Sequence, residues 1–300
     1  MRATPVRGLI GFVWHRYPPL LYVVWVSLWT CALDGLLGRL EGRSLLDTLD
    51  GSSVWTGLSV FLVTFFMRVV DEIRDYEYDR EHNPERELAA GVVSFSDLYR
   101  LLLITALLIL ALNAATPIGG GLLGAIMAYA LFLWWLEAHS RFYRERMFFA
   151  IGVAIQLHVM QALYVWVVRP ASAAKAHTLG VVAVIAAFVC AYLHWEVARK
   201  TRWPTMSTPG AKLYSTEVGA VASISISFGL MSVAVTLLLF LLRPWQEDAA
   251  SVDWMVLAPW ACSLLNTVWF LLRTPGKHHP GPGAAIAYFS FLGLAVLSAL

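Results

Sequence analysis

Charge is scarce in this chain. Only 14% of its 300 residues are Asp, Glu, Lys or Arg, and 59% are hydrophobic. A soluble domain carries about 25% charged residues, so this composition excludes an ordinary soluble globule and points to repeated membrane crossings. The net charge of +2 is too small to support a nucleic-acid partner. Cysteine is scarce too. Cys31, Cys190 and Cys262 are scattered through apolar stretches without CxxC spacing, which argues against a disulfide framework or a zinc site and for small buried apolar residues. The opening MRATPVRGLIGFVWHRYPPLL has no short apolar region followed by a small-residue cleavage site, so no cleaved signal peptide is expected. Low-complexity tracts and long linkers are missing as well. The chain reads as one multi-pass transmembrane domain over residues 1–300.

What is present is apolar length. A spanning helix needs roughly 20 apolar residues. Nine stretches qualify, near 18–38, 52–72, 98–116, 119–137, 148–168, 177–197, 216–242, 252–272 and 283–300. TPIGGG between the third and fourth reads as a tight helical hairpin. With the N-terminus placed inside, 17 of the 22 Lys and Arg residues fall on the inner face. Arg39, Arg43, Arg169, Lys175 and Arg243 alone fall outside. This bias fits the positive-inside rule, with the N-terminus cytoplasmic and an odd number of spans.

The remaining charge is concentrated. After the second apolar run comes DEIRDYEYDREHNPERELAAG, residues 71–91. Asp71, Asp75 and Asp79 recur every four residues. At about 100° per residue they fall with Glu72 on one narrow helical stripe. Carboxylates so placed repel one another, and a counter-charge is expected. Magnesium suits the role, since it prefers oxygen and is held by one or two carboxylates plus substrate phosphates. Arg80 and Arg86 follow, suited to gripping phosphate oxygens. The competing reading is a solvated interfacial cap in which Arg68 pairs with Asp71 or Glu72. Four helices later HWEVARKTRWP repeats the theme. Glu196 and Lys200 lie at i, i+4, either as a plain helical salt bridge worth about 0.3–0.5 kcal/mol or as a second metal and diphosphate end. Arg199 adjoins them, and Arg202, Lys212 and Tyr214 lie in the loop TRWPTMSTPGAKLYS. His194 points elsewhere and reads as structural. Paired repeats of this kind often build one central membrane site.

These residues resemble the UbiA superfamily of intramembrane prenyltransferases. The first family motif, N-D-x-x-D-x-x-x-D followed by R-P-L-P-x-G, is matched by Asp71-Glu72-x-x-Asp75-x-x-x-Asp79 and then Arg86-Glu87-Leu88-Ala89-Ala90-Gly91. Asp75, Asp79, Arg86, Leu88 and Gly91 are identical. Asp71 stands for Asn and Glu72 for Asp, and the prolines are lost. The second motif, D-x-x-x-D, becomes Glu196-x-x-x-Lys200, with a fixed cation where the family places a carboxylate.

The resemblance implies an all-α membrane protein of about nine transmembrane helices around a central cavity, with its site toward the cytoplasmic face. It implies Mg2+ bound by Asp71, Glu72, Asp75, Asp79 and Glu196. Arg80, Arg86, Arg199, Arg202, Lys212 and Tyr214 would bind diphosphate, and Asp71, Asp75, Glu196 and Lys200 would carry catalysis. The implied substrate is a prenyl diphosphate held within the lipid bilayer. Its allylic cation would be shielded from water and faced by aromatic rings. Capture by an aromatic or quinone-precursor acceptor makes a prenyltransferase. Capture by the chain's own double bonds makes a terpene cyclase. Gln156, His158, Gln161 and Asn266, all within apolar spans, are the polar candidates for handling an acceptor, with interhelical hydrogen bonding as their alternative role. A non-enzymatic transporter is the reading from another class. No ionisable residue centred in a span has a clear partner to favour it, and the charges crowd at one face.

Overall fold

The computed structural model describes residues 5–49, 51–169, 178–208, 210–246, 251–273 and 279–300. Three cations of the orientation count, Arg2, Lys175 and Lys277, lie outside them. Among the described residues the secondary structure is helical, without strands. Nine helices among the described residues are long and apolar enough to cross a membrane: Pro19–Arg39, Gly51–Arg74, Phe95–Leu112, Pro117–His139, Met147–Val168, Thr178–Arg199, Ala220–Leu242, Val252–Leu272 and Gly281–Ala299. They are called the first to ninth spans below. Large apolar residues such as Leu20, Leu103, Leu179 and Leu272 are exposed on them, as a surface solvated by lipid tails requires. The chain is an integral multi-pass membrane protein.

All nine expected spans are present, and their ends show where local chemistry overrides apolar length. The third span starts at Phe95, earlier than expected, because Ser94 and Asp97 form a capping box. The Ser94 hydroxyl accepts from the Asp97 backbone N–H and the Asp97 carboxylate accepts from that of Ser94. The hairpin expected at TPIGGG lies one step earlier. Pro117 opens the fourth span and the three glycines lie inside it, since proline is well suited to a first helical position, where its missing N–H costs nothing. The seventh span starts at Ala220, not 216. Gly219 has φ +85°, a conformation glycine adopts without strain. It separates the span from a short helix, Tyr214–Val218.

The chain forms two compact units interleaved in sequence. One comprises Met1–Thr30, Asp50–Arg144 and Met160–Pro170. In it the second span packs against the third and fourth, burying Val63, Val69, Leu98, Ile109, Leu123 and Ile126. Polar side chains within this core are paired. Asn113 donates to Ser59 Oγ at 2.9 Å and accepts from the Tyr164 hydroxyl at 2.8 Å, while Gln161 donates to Thr64 Oγ1 at 3.1 Å. Such bonds help hold helices together where lipid removes the hydrophobic drive.

The other unit comprises Cys31–Leu49, Glu145–Val159 and Ala171–Leu300. Here the sixth span packs against the seventh and ninth, and the eighth against both of those. Small residues line the seam: Ala187, Ala191, Ala198, Ala284 and Ala287 are all fully buried. Arg39 forms a two-pronged pair with Asp253 at 2.8 and 2.6 Å. It also donates to the Ser298 carbonyl. Asp253 is completely buried, so this pair ties the end of the first span to the eighth and ninth.

Candidate functional site

The first acidic segment is a nearly continuous helix. Gly51–Arg74 hands over at Asp75 to Tyr76–His82, and the backbone bonds Asp75 N–H to Asp71 O and Asp79 N–H to Asp75 O, both 2.8 Å, carry the i, i+4 pattern through. The expected spacing of the aspartates is therefore present. The four carboxylates are divided among several cations: Asp71 and Asp75 share Arg74, while Glu72 and Asp79 meet other basic side chains.

Asp71 and Asp75 both meet Arg74, at 2.8 and 3.4 Å. Glu137, from the end of the fourth span, meets the same guanidinium at 2.9 Å. Tyr143 lies in the short helix Arg141–Glu145 that follows the fourth span. Burial pushes its hydroxyl pKa up to about 12, with Arg74 pulling the other way. Glu72 is buried and turned away from the aspartates, toward Arg68 at 3.2 Å and Arg16 at 3.3 Å. Asp79 is also buried, held by Arg86 and by Asn83 at 2.8 Å. Arg80 pairs with the exposed Glu77 at 3.0 Å.

Arg16 closes a second link in this unit. It meets Glu87 at 2.9 Å, and His15 meets the same carboxylate at 2.7 Å. Burial pushes the Glu87 carboxyl up. A hydrogen bond from its own backbone N–H, with His15 and Arg16, outweighs that and holds it below the ordinary carboxylate range. The N-terminal helix Pro5–Arg16 is thereby pinned over the loop that carries Arg86 and Gly91. Gly91 itself has φ +70°, which explains why that loop needs glycine there.

The second acidic end lies in the other unit. Glu196 is 3% exposed. It accepts from Lys200 at 2.9 Å and from the guanidinium of Arg199. Lys200 lies 5.8 Å from the Tyr214 ring centroid, and Tyr214 is buried against Phe148. The Tyr214 backbone N–H donates to the Lys200 carbonyl at 3.1 Å, so the loop after the sixth span folds back on that span's end. Arg202 is turned into the loop, donating to the carbonyls of Arg199 and Thr201 and meeting His279. Lys212 is half-buried in the same loop.

The four candidates for handling an acceptor part company. Gln161 is used by Thr64 and Asn266 donates to the Pro280 carbonyl at 2.9 Å. Gln156 faces its own helix at Gly152. His158 does not share a partner with Gln161; its ring stacks on Tyr192 at 3.7 Å. His194 is buried and bonded to Ser227, the structural role its position implied. Sequence reasoning did not single out Arg16, Arg74 or Glu137. A lone carboxylate ending an apolar span, as in LEAHS, was the available signal for Glu137.

A magnesium ion fits these residues only in part. Glu72, Asp79 and Glu196 are buried, with basic side chains against their oxygens. Asp71 and Asp75 have side chains 36% and 26% exposed, one helical turn apart. Two carboxylates meet the protein's share of a typical magnesium site. Among the described residues no group of three or more His, Cys, Asp or Glu is arranged to hold a metal ion by itself.

Comparison with known proteins is sharp in structure and silent in sequence. No protein family and no curated protein matches the chain. Among solved structures, a digeranylgeranylglyceryl phosphate synthase of membranes superposes with a TM-score of 0.63 at 13% sequence identity, over 98% of this chain and 99% of that one. An identity so low speaks for architecture alone. The chain therefore shares the fold of that membrane synthase.

Proposed function

We propose that this protein is an intramembrane prenyltransferase that ionises an allylic prenyl diphosphate and transfers the prenyl group to an acceptor. The observation that carries the reading is a fold likeness to a membrane synthase of a geranylgeranylated glyceryl phosphate, combined with the aspartate motif at the end of the second span. Carboxylates and cations gathered at the ends of apolar helices suit a substrate whose tail is greasy and whose head is a diphosphate.

Asp71 and Asp75 would hold Mg2+ together with the diphosphate oxygens. Bound there, the ion would supply positive charge to the leaving diphosphate. Arg74 keeps the two aspartates facing one way and prevents their mutual repulsion from opening the helix. Lys200 and Arg199 are fixed cations of the kind that stabilise a departing diphosphate, and such preorganised charge costs no rearrangement during the reaction. Glu72, Asp79 and Glu196 are buried at the ends of apolar spans, which favours exclusion of the water that would otherwise quench an allylic cation. The charge asymmetry of the loops supports placing the motif end at the cytoplasmic face.

The test is incubation of purified protein in detergent with magnesium and geranyl, farnesyl or geranylgeranyl diphosphate. One arm omits acceptor and the other offers aromatic, quinone-precursor and glyceryl phosphate acceptors. Released diphosphate and extracted products are measured. Acceptor-dependent release is expected, with at least a hundredfold loss in Asp75→Ala while the variant stays monodisperse. A cyclic hydrocarbon formed without acceptor would replace transfer by terpene cyclisation. No release in either arm would overturn the prenyl diphosphate reading altogether.

A further inference from the structure

The sixth span carries more than the second motif. Tyr192, Trp195, Glu196 and Arg199 follow one another at i, i+3, i+4 and i+7, the spacing of a single helical face. Within that unit they form a graded series. At the charged end, Arg199 and Lys200 hold Glu196, and the Arg199 guanidinium lies 5.3 Å from the Trp195 ring centroid. Next, Trp195 stacks on Tyr288 of the ninth span, with centroids 5.9 Å apart and planes 7° apart. Tyr192 meets both rings edgewise at 5.9 and 6.4 Å. At the far end, the imidazole of His158 from the fifth span stacks on Tyr192. From Tyr192 to Arg199 and Lys200 is roughly 10 Å along the helix axis. That length suits a diphosphate, the carbon it leaves and the atom that attacks this carbon.

His158 is anomalous in this series. Its Nε2 is buried and has no hydrogen-bond partner. Buried polar atoms are paired in the great majority, and an orphan costs about 1–3 kcal/mol, so an orphan left beside stacked aromatic faces calls for a use. His194 is the comparison within the same unit. Its Nε2 is orphaned too, but its Nδ1 and carbonyl are tied to Ser227 at 2.8–3.0 Å. Its ring is buried between the sixth and seventh spans, outside the aromatic series. Packing accounts for His194. It does not account for an imidazole half-buried over a tyrosine face.

We infer that His158 Nε2 is the base that accepts the acceptor's proton during prenyl transfer, on the aromatic face formed by Tyr192, Trp195 and Tyr288. The inference rests on the prenyltransferase reading and adds the proton's destination. Written for a hydroxyl acceptor, the C–O bond to diphosphate breaks and its electron pair leaves with the diphosphate. An oxygen lone pair of the acceptor forms the new C–O bond to the allylic carbon. The O–H electron pair returns to that oxygen as its proton passes to Nε2. The imidazole, neutral with its proton on Nδ1, becomes imidazolium and later gives the proton to water. No oxidant or further reactant is needed. The π faces stabilise positive charge on the carbon while the bond forms.

The experiment compares wild type, His158→Gln, His158→Ala and the control His194→Gln. It uses the whole protein in detergent with the best prenyl diphosphate and acceptor. Prenyl diphosphate affinity and the rate of prenylated product are measured separately. A positioned base contributes about 10²–10⁴-fold. Both His158 variants should therefore lose at least a hundredfold in product rate while binding prenyl diphosphate within twofold of wild type. Added imidazole should restore His158→Ala at least fivefold and leave wild type unchanged, a response that a packing role would not give. His194→Gln should lower the melting temperature while keeping the turnover of its folded fraction within threefold. Product rates within twofold of wild type in His158→Gln would overturn the inference and leave prenyl transfer standing. So would loss of substrate binding in step with turnover, or a His158→Ala defect that imidazole does not relieve. A wild-type protein that releases no diphosphate would remove both.

Discussion

Arg74 meets Asp71, Asp75 and Glu137 at once, and the residues around it show how charge is managed at the edge of an apolar bundle. Each acidic group has a basic neighbour fixed on the same or an adjacent helix. Removing one partner strands the other, which is the expensive event for a buried ion. Glu87 allows this to be tested by pH, since it lies outside the spans. Its carboxyl is held below its ordinary range in the folded state. Its contribution to stability is therefore full above about pH 4.3, the usual unfolded value. It is lost as pH falls through the lower folded value. Glu87→Gln should melt earlier than wild type at pH 7, and the gap should close as pH falls below about 4.3. A gap that persists unchanged well below that value would show that the Arg16 and His15 pairs contribute nothing to stability.

Helices in this chain are set by length and by caps, and only part of that could be read beforehand. Spans were legible because crossing a bilayer demands about twenty apolar residues, a property of composition. The start at Phe95 was legible in principle from Ser94 and Asp97. The break at Gly219 was not, since glycine inside an apolar run does not announce a positive φ. The partition of the carboxylates was hidden for a different reason. A helical wheel gives angles, but Glu72 is claimed by Arg16, which is 56 residues earlier, and no local pattern records that. Close helix approach is a further element-scale feature. A Cβ on Gly119 would come within 2.6 Å of Val168 Cγ1, whereas one on Gly121 would meet nothing within 4 Å. Gly119→Leu should cost about 1–3 kcal/mol as overpacking, seen as a lower melting temperature in detergent. Gly121→Leu should stay near wild type. Equal melting of the two variants would show that the Val168 contact exerts no steric control.

The whole molecule has an orientation written in its loops, and this is checkable without knowing the substrate. In a background with Cys31, Cys190 and Cys262 replaced by alanine, single cysteines at Arg80 and Trp245 should label from opposite sides. Both positions are exposed. A membrane-impermeant maleimide applied to intact cells should reach Trp245→Cys and miss Arg80→Cys until the membrane is opened. The reverse pattern would turn the protein over and place its acidic motif outside.

The pairing of Arg39 with Asp253 bridges 214 positions of sequence, and that distance is also an interval of time. The first span is inserted while its partner carboxylate is still unmade. Until the eighth span arrives, the guanidinium must remain hydrated at the membrane surface, which keeps the end of the first span from sliding into the lipid. The same cation thus has two successive roles: an anchor during synthesis, and afterwards the latch that shuts when the later helices come in.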